Sequence, residues 1–163
     1  MRRLAFFAPL ALTVSLAAAA QAQAPRVTVA LGPTLQRDRD NLGQRDITEQ
    51  ADRLGEAVRR ALANSDYLDG AQVNLVLTDL KPNRPTIEQA NQRPGLSIID
   101  SFSIGGAAIE GEVILADGRR EPVRYSRYSN DISWSRGMGT WWDADRAFDR
   151  FAVNVAEGRL VSR

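Results

Sequence analysis

Residues 104–128 read IGGAAIEGEVILADGRREPVRYSRY, and the alternation inside this run decides how the rest of the chain folds. Ile109, Gly111, Val113 and Leu115 recur with the two-residue period of a strand, while Glu110 and Glu112 fall on the opposite face. One face is therefore buried and the other wet. Asp117-Gly118 marks a turn, and Val123 and Tyr125 give a return strand its apolar face. A two-residue turn would set Glu110 opposite Tyr125 and Glu112 opposite Val123, with carboxylates against apolar side chains. A three-residue loop, Ala116-Asp117-Gly118, instead pairs Ile109 with Tyr125 and Gly111 with Val123, provided Gly118 takes a positive φ. The second register, in which both apolar faces agree, is the one expected.

Upstream of the hairpin, RVTVAL (26–31) alternates as a short strand and Gly32-Pro33 ends it. The polar, alternately charged run 36–45 reads as a solvated loop. Ile47, Ala51, Leu54, Val58, Ala61 and Leu62 step by three and four, which predicts a helix over about 47–63 with Asp46 as its cap and Glu49 supporting it. Glu49 with Arg53 and Glu56 with Arg60 are i,i+4 pairs on its outer face, and Gly55 leaves room for close packing. Val73, Leu75 and Leu77 mark a second strand over 71–80. The run 81–94 is a loop holding one helical turn at most; loops of this length are often mobile or functional, but a plain surface connection is the expected reading. Residues 95–104, GLSIIDSFSI, alternate as a third strand, but Asp100 falls on its apolar side, so either a bulge near Ile99–Ser101 or a partnered carboxylate must resolve the conflict, and the bulge is expected.

Downstream, Thr140 and Asp143 make a capping-box-like start. Ala144, Ala147, Phe148, Phe151, Ala152, Val155 and Ala156 then form the stripe of a second helix reaching about Leu160, with Asp145, Arg146, Asp149 and Arg150 as its charged outer face. The order β-α-β-β-β-β-α predicts an α+β fold: a two-layer sandwich with a mixed, mostly antiparallel sheet of about five strands and two helices on one face.

Met1-Arg2-Arg3, the apolar run Leu4–Ala20 and Ala22-Gln23-Ala24 read as a secretory signal peptide, residues 1–24, ahead of one domain, 25–163. The apolar run is broken by Pro9 and too rich in Ala to favour a lasting membrane anchor. Removal of the leader takes Arg2 and Arg3 with it and leaves 19 basic against 20 acidic residues, which is no charge for a nucleic-acid binder. With neither cysteine nor histidine, disulfides, an acylated cysteine, the usual zinc, haem and iron–sulfur ligand sets, and Ser-His-Asp or Cys-His catalysis are unavailable. No cofactor is expected. Lys81, the single lysine, sits beside Pro82 in a polar loop, where a depressed pKa for a Ser-Lys dyad is hard to arrange.

Trp134, Arg136, Trp141, Trp142 and Tyr128 gather around the glycine-bearing linker 135–139 and are the candidate binding residues, since aromatics beside a mobile loop can form a platform for a sugar or a partner surface. The competing possibility is that the tryptophans pack beneath the second helix and along the sheet edge. Glu110 and Glu112, about 7 Å apart by strand rise, have the spacing of a two-carboxylate glycosidase. An exposed sheet face, however, offers no pocket to raise one pKa. Asp100 is a third carboxylate to consider.

The runs LVLTDLKPNRPT (75–86), SFSIGGAAIEGEVILADG (101–118) and TWWDADRAFDRFA (140–152) resemble uncharacterised exported or lipid-anchored domains of proteobacteria. Those are small α/β units broadly similar to the amino-terminal domain of the translocation protein TolB. The resemblance implies an envelope protein of unassigned activity and transfers no functional residue. Unlike the lipoproteins, this chain has no cysteine to acylate. The expectation is a periplasmic or secreted, non-catalytic binding or assembly module with an envelope protein or glycan as partner; the alternative is a carboxylate-dependent envelope glycan hydrolase.

Overall fold

The apolar parity of each strand lines up across the sheet as three rungs. Val27, Val73 and Val113 stand side by side, then Val29, Leu75, Gly111 and Val123, then Leu31, Leu77, Ile109 and Tyr125. These rungs belong to β1 (Arg26–Leu31), β2 (Gln72–Lys81), β3 (Gly106–Ile114) and β4 (Arg120–Tyr128). They are seen in a computed structural model that describes residues 25–63, 65 and 68–162. The signal peptide read at 1–24 lies outside the described residues.

Between β3 and β4, Leu115 N–H donates to Arg119 O, Gly118 N–H donates to Leu115 O, and Gly118 has φ +86°. Ile109 faces Tyr125 and Gly111 faces Val123, which is the three-residue-loop register.

Two helices cover the rungs. The helix α3 (Gln44–Leu62) buries Ile47, Leu54, Val58 and Leu62, and α5 (Trp142–Ala156) buries Ala144, Ala147, Phe148, Phe151 and Val155. Leu54 and Phe151 belong to one core cluster with the strand residues. The topology explains the shared face. A two-residue strand β5 (Val161–Ser162) pairs in parallel with β4, and β1 pairs in parallel with β2, in a sheet of order β1-β2-β3-β4-β5. Both parallel connections therefore step the same way across the sheet between strands that point the same way. Crossovers of one hand then place both helices on one side. The two-layer α+β sandwich follows from this symmetry.

Several elements differ from expectation. The run 36–45 is helical: α1 (Pro33–Arg37), with Pro33 at its first position, and α2 (Arg39–Leu42) bury Leu35 and Leu42. Neither long helix is capped by its expected residue, since α3 starts from Gly43 and α5 from Trp141 without a side-chain cap from either. A short helix, α4 (Ile87–Gln92), carries a full Thr86/Gln89 capping box. The expected strand 95–104 does not form. Ser97 Oγ accepts from Asp100 N–H at 3.0 Å and donates to Asp100 Oδ2 at 3.0 Å, closing a helical turn where the bulge was expected. The bulge lies instead in β2, between Leu77 and Asp79, and it returns Leu80 to the buried face opposite Ala107. The fifth strand is thus β5, not 95–104.

Candidate functional site

Asn83 is fully buried in the loop after β2, and all of its polar groups are used. Its Oδ1 accepts from Asp143 N–H at 2.9 Å and so caps α5 from a distant loop. Its Nδ2 donates to Asp143 Oδ2 at 2.5 Å and to Ser135 Oγ at 3.0 Å. On the main chain, Asn83 N–H donates to Thr140 O at 2.7 Å and Asn83 O accepts from Ser103 N–H at 2.8 Å. Ser135 Oγ in turn donates to Ser103 O at 3.0 Å. Asn83, through its side chain, its main chain and Ser135, thereby ties the loops 82–86, 101–105 and 129–141 to the helix start. A Cβ on Gly105 would collide with the Asn83 amide, so that position has room only for glycine.

Arg84 makes the second clamp. Its Nε donates to Met138 O at 2.6 Å, its Nη1 donates to Ile98 O at 3.4 Å and to Ile99 O, and its guanidinium lies 4.5 Å from the Phe102 ring centre. Between the clamped loops runs a groove of about 320 Å3, lined chiefly by Pro82, Pro85, Leu96, Phe102 and Ile104, with Lys81 as its single titratable group. Ile104 in its lining is exposed, as are Ile98, Ile99, Ile132 and Trp134 on the same tied loops, Ile99 to 70% and Trp134 to 61%. Trp134 and Ile132 ride on the 3-10 turn Ile132–Ser135, which is pinned by Ser135 and capped by Asp131. Asp131 Oδ1 accepts from Ser133 N–H at 2.8 Å, which holds the Asp131 carboxyl below its ordinary range.

The five residues nominated by sequence are placed in three settings. Trp141 is half-buried against the core. Burial, and then the Glu49 charge, push the Asp46 carboxyl up, and the Trp141 indole only partly offsets them. Trp142 is exposed on the first turn of α5, while Trp134 and Arg136 are exposed on the linker before it. Tyr128 lies on the open sheet face, where its hydroxyl donates to Asp79 Oδ2 at 2.6 Å and Lys81 Nζ sits 4.9 Å above its ring. Burial and then the Asp79 carboxylate hold its phenol far above the usual tyrosine range. None of the five lines the groove.

The carboxylates do not converge. Glu110 pairs with Arg124 at 3.6 Å, Glu112 pairs with Arg120 at 2.9 Å, and Asp100 is in its own turn. Among the described residues, no group of three or more acidic side chains is placed to hold a metal, and no helix is long and apolar enough to cross a membrane. The groove's lining was hidden because 95–104 reads as a strand. The signal that could have found it is a pair of capping patterns, Thr86-x-x-Gln89 and Ser97-x-x-Asp100.

No protein-family model matches the chain, and no curated protein matches it. Among solved structures, it is similar to "a putative lipoprotein from Caulobacter crescentus CB15", at 13% identity over 83% of each chain and a TM-score of 0.32. A likeness at that level identifies neither an activity nor a partner. The resemblance to the TolB amino-terminal domain gains no support from these comparisons.

Proposed function

We propose that this chain is an exported contact module of the cell envelope, periplasmic or secreted, that binds a partner through its clamped loops and makes or breaks no bond. The observation that carries this reading is the set of large apolar side chains, Ile98, Ile99, Ile104, Ile132 and Trp134, exposed on loops that Asn83 and Arg84 hold in place. Exposed apolar surface costs solubility, and its concentration on neighbouring loops supports an interaction site. Four of the five are isoleucine, which suits a protein surface better than a sugar, whose hydroxyls need polar partners. The leader-like amino terminus supplies the compartment.

The glycan hydrolase is the weaker reading, because Glu110 and Glu112 each face an arginine on an open sheet rather than a pocket. Affinity recovery from envelope extracts, with the chain as bait, tests the proposal. The expected result is one envelope protein, retained by the native chain and lost with Ile99→Ser or Trp134→Ala. Retention by both variants contradicts it, as does glycan turnover by purified protein that Glu110→Gln abolishes.

A further inference from the structure

On the flank of the molecule formed by α5 and the outer edge of β4, a cleft of about 410 Å3 is lined by Arg127, Arg146, Asp149, Arg150 and Val153. The sequence pattern dictates the gathering. Val123 and Tyr125 point at the helices, so Arg127, on the same parity, emerges on that face just beyond the core. Residues 146, 149, 150 and 153 recur at i, i+3, i+4 and i+7, which makes them one stripe of α5 facing that edge. A second cleft continues from the first and shares Arg127 and Arg150. Burial raises the Tyr125 phenol, and the charges of Arg127 and Arg150 both pull it back.

Asp149 lies among these arginines but closes no ion pair with them within 4.0 Å. Arg53, Arg119, Arg120, Arg124 and Arg159 each have an acidic partner within 4.0 Å. Arg127, Arg146 and Arg150 are in no ion pair among the described residues. In a chain of nearly balanced charge, three unpaired arginines sharing one cleft raise the local potential. Guanidinium forks match the oxygens of a tetrahedral anion two at a time. Asp149 can only accept hydrogen bonds when ionised, so it favours an anion that carries a donor beside its charge.

We infer that this cleft binds a phosphoryl group bearing a neighbouring hydroxyl, as in a glycerol phosphate. That chemistry occurs both in soluble phosphates and in the headgroup of phosphatidylglycerol. The site is separate from the clamped loops and does not rest on the contact function proposed for them.

Titration calorimetry with glycerol 3-phosphate and flotation with phosphatidylglycerol vesicles, against phosphatidylcholine vesicles, separate the two sources. Binding at low salt should weaken as salt rises, fall about tenfold in Arg150→Gln, and vanish in the Arg127→Gln/Arg150→Gln double variant. Arg120→Gln, on the open sheet face, should leave it unchanged. Binding of the soluble phosphate with this dependence assigns a soluble ligand, and binding of the charged vesicles alone assigns a membrane surface. Binding of neither at low salt, or binding that survives in the double variant with its fold intact, overturns the inference.

Discussion

Asn83, itself fully buried, satisfies groups of a helix start, a loop and a linker at once. Asn83→Ala takes the partner from the part-buried Asp143 N–H and carboxylate and one acceptor role from Ser135, and should cost about 1–3 kcal/mol, read from chemical denaturation. Asn83→Asp keeps the shape but sets a second carboxyl against Asp143, so the two share a proton and one pKa in the folded state rises above its unfolded value. A raised carboxyl contributes stability that is present at low pH and lost as pH climbs through the folded pKa. The variant should therefore lose most stability near neutral pH and recover on acidification, and a flat pH profile would contradict the pairing. None of this was legible in KPNRPT. A buried asparagine and a solvated one look alike when their partners stand 52 and 60 residues away.

At the scale of elements, local pattern sufficed where the partner was adjacent. The hairpin register followed from parity and one glycine, and Gly118→Ala, at φ +86°, should cost about 1 kcal/mol in the same denaturation measurement. The strand read at 95–104 failed because its apolar residues serve a groove rather than a sheet. Asp100, the residue that broke the alternation, was the cue that Ser97 starts a turn. Similarly, Leu77 and Leu80 cannot share a face without the extra residue that β2 carries between them.

Between the helices, Asp145 meets Arg53 at 3.1 Å. Burial pushes the Asp145 carboxyl up, and Arg53 pulls it only part of the way back. Arg53→Gln should raise it further. Because a raised carboxyl contributes stability below its unfolded pKa that is lost as pH rises, the variant should be destabilised at neutral pH and approach the native chain in acid. The deficit should stay under about 1 kcal/mol, since Arg53 is half exposed and solvent screens the pair.

For the whole molecule, the shared face of α3 and α5 is the consequence of two parallel crossovers of like sense, the second of which depends on the two-residue β5. Sequence alternation could not reveal a strand that short. It did reveal both helical stripes, and Phe151→Ala should cost about 3–5 kcal/mol in a single cooperative transition, whereas separate transitions for the two helices would contradict a common core. The same arrangement leaves the sheet's other face to ion pairs such as Glu110–Arg124 and collects the clamped apolar loops at one end.

Site-specific photo-crosslinking in living cells is the most direct measurement of whether those loops are where contact happens. Crosslinkers at positions 99 and 134 should trap one common envelope protein, while a crosslinker at position 30, on the open sheet face, traps none. No adduct from 99 or 134, or an equal adduct from 30, would contradict the account.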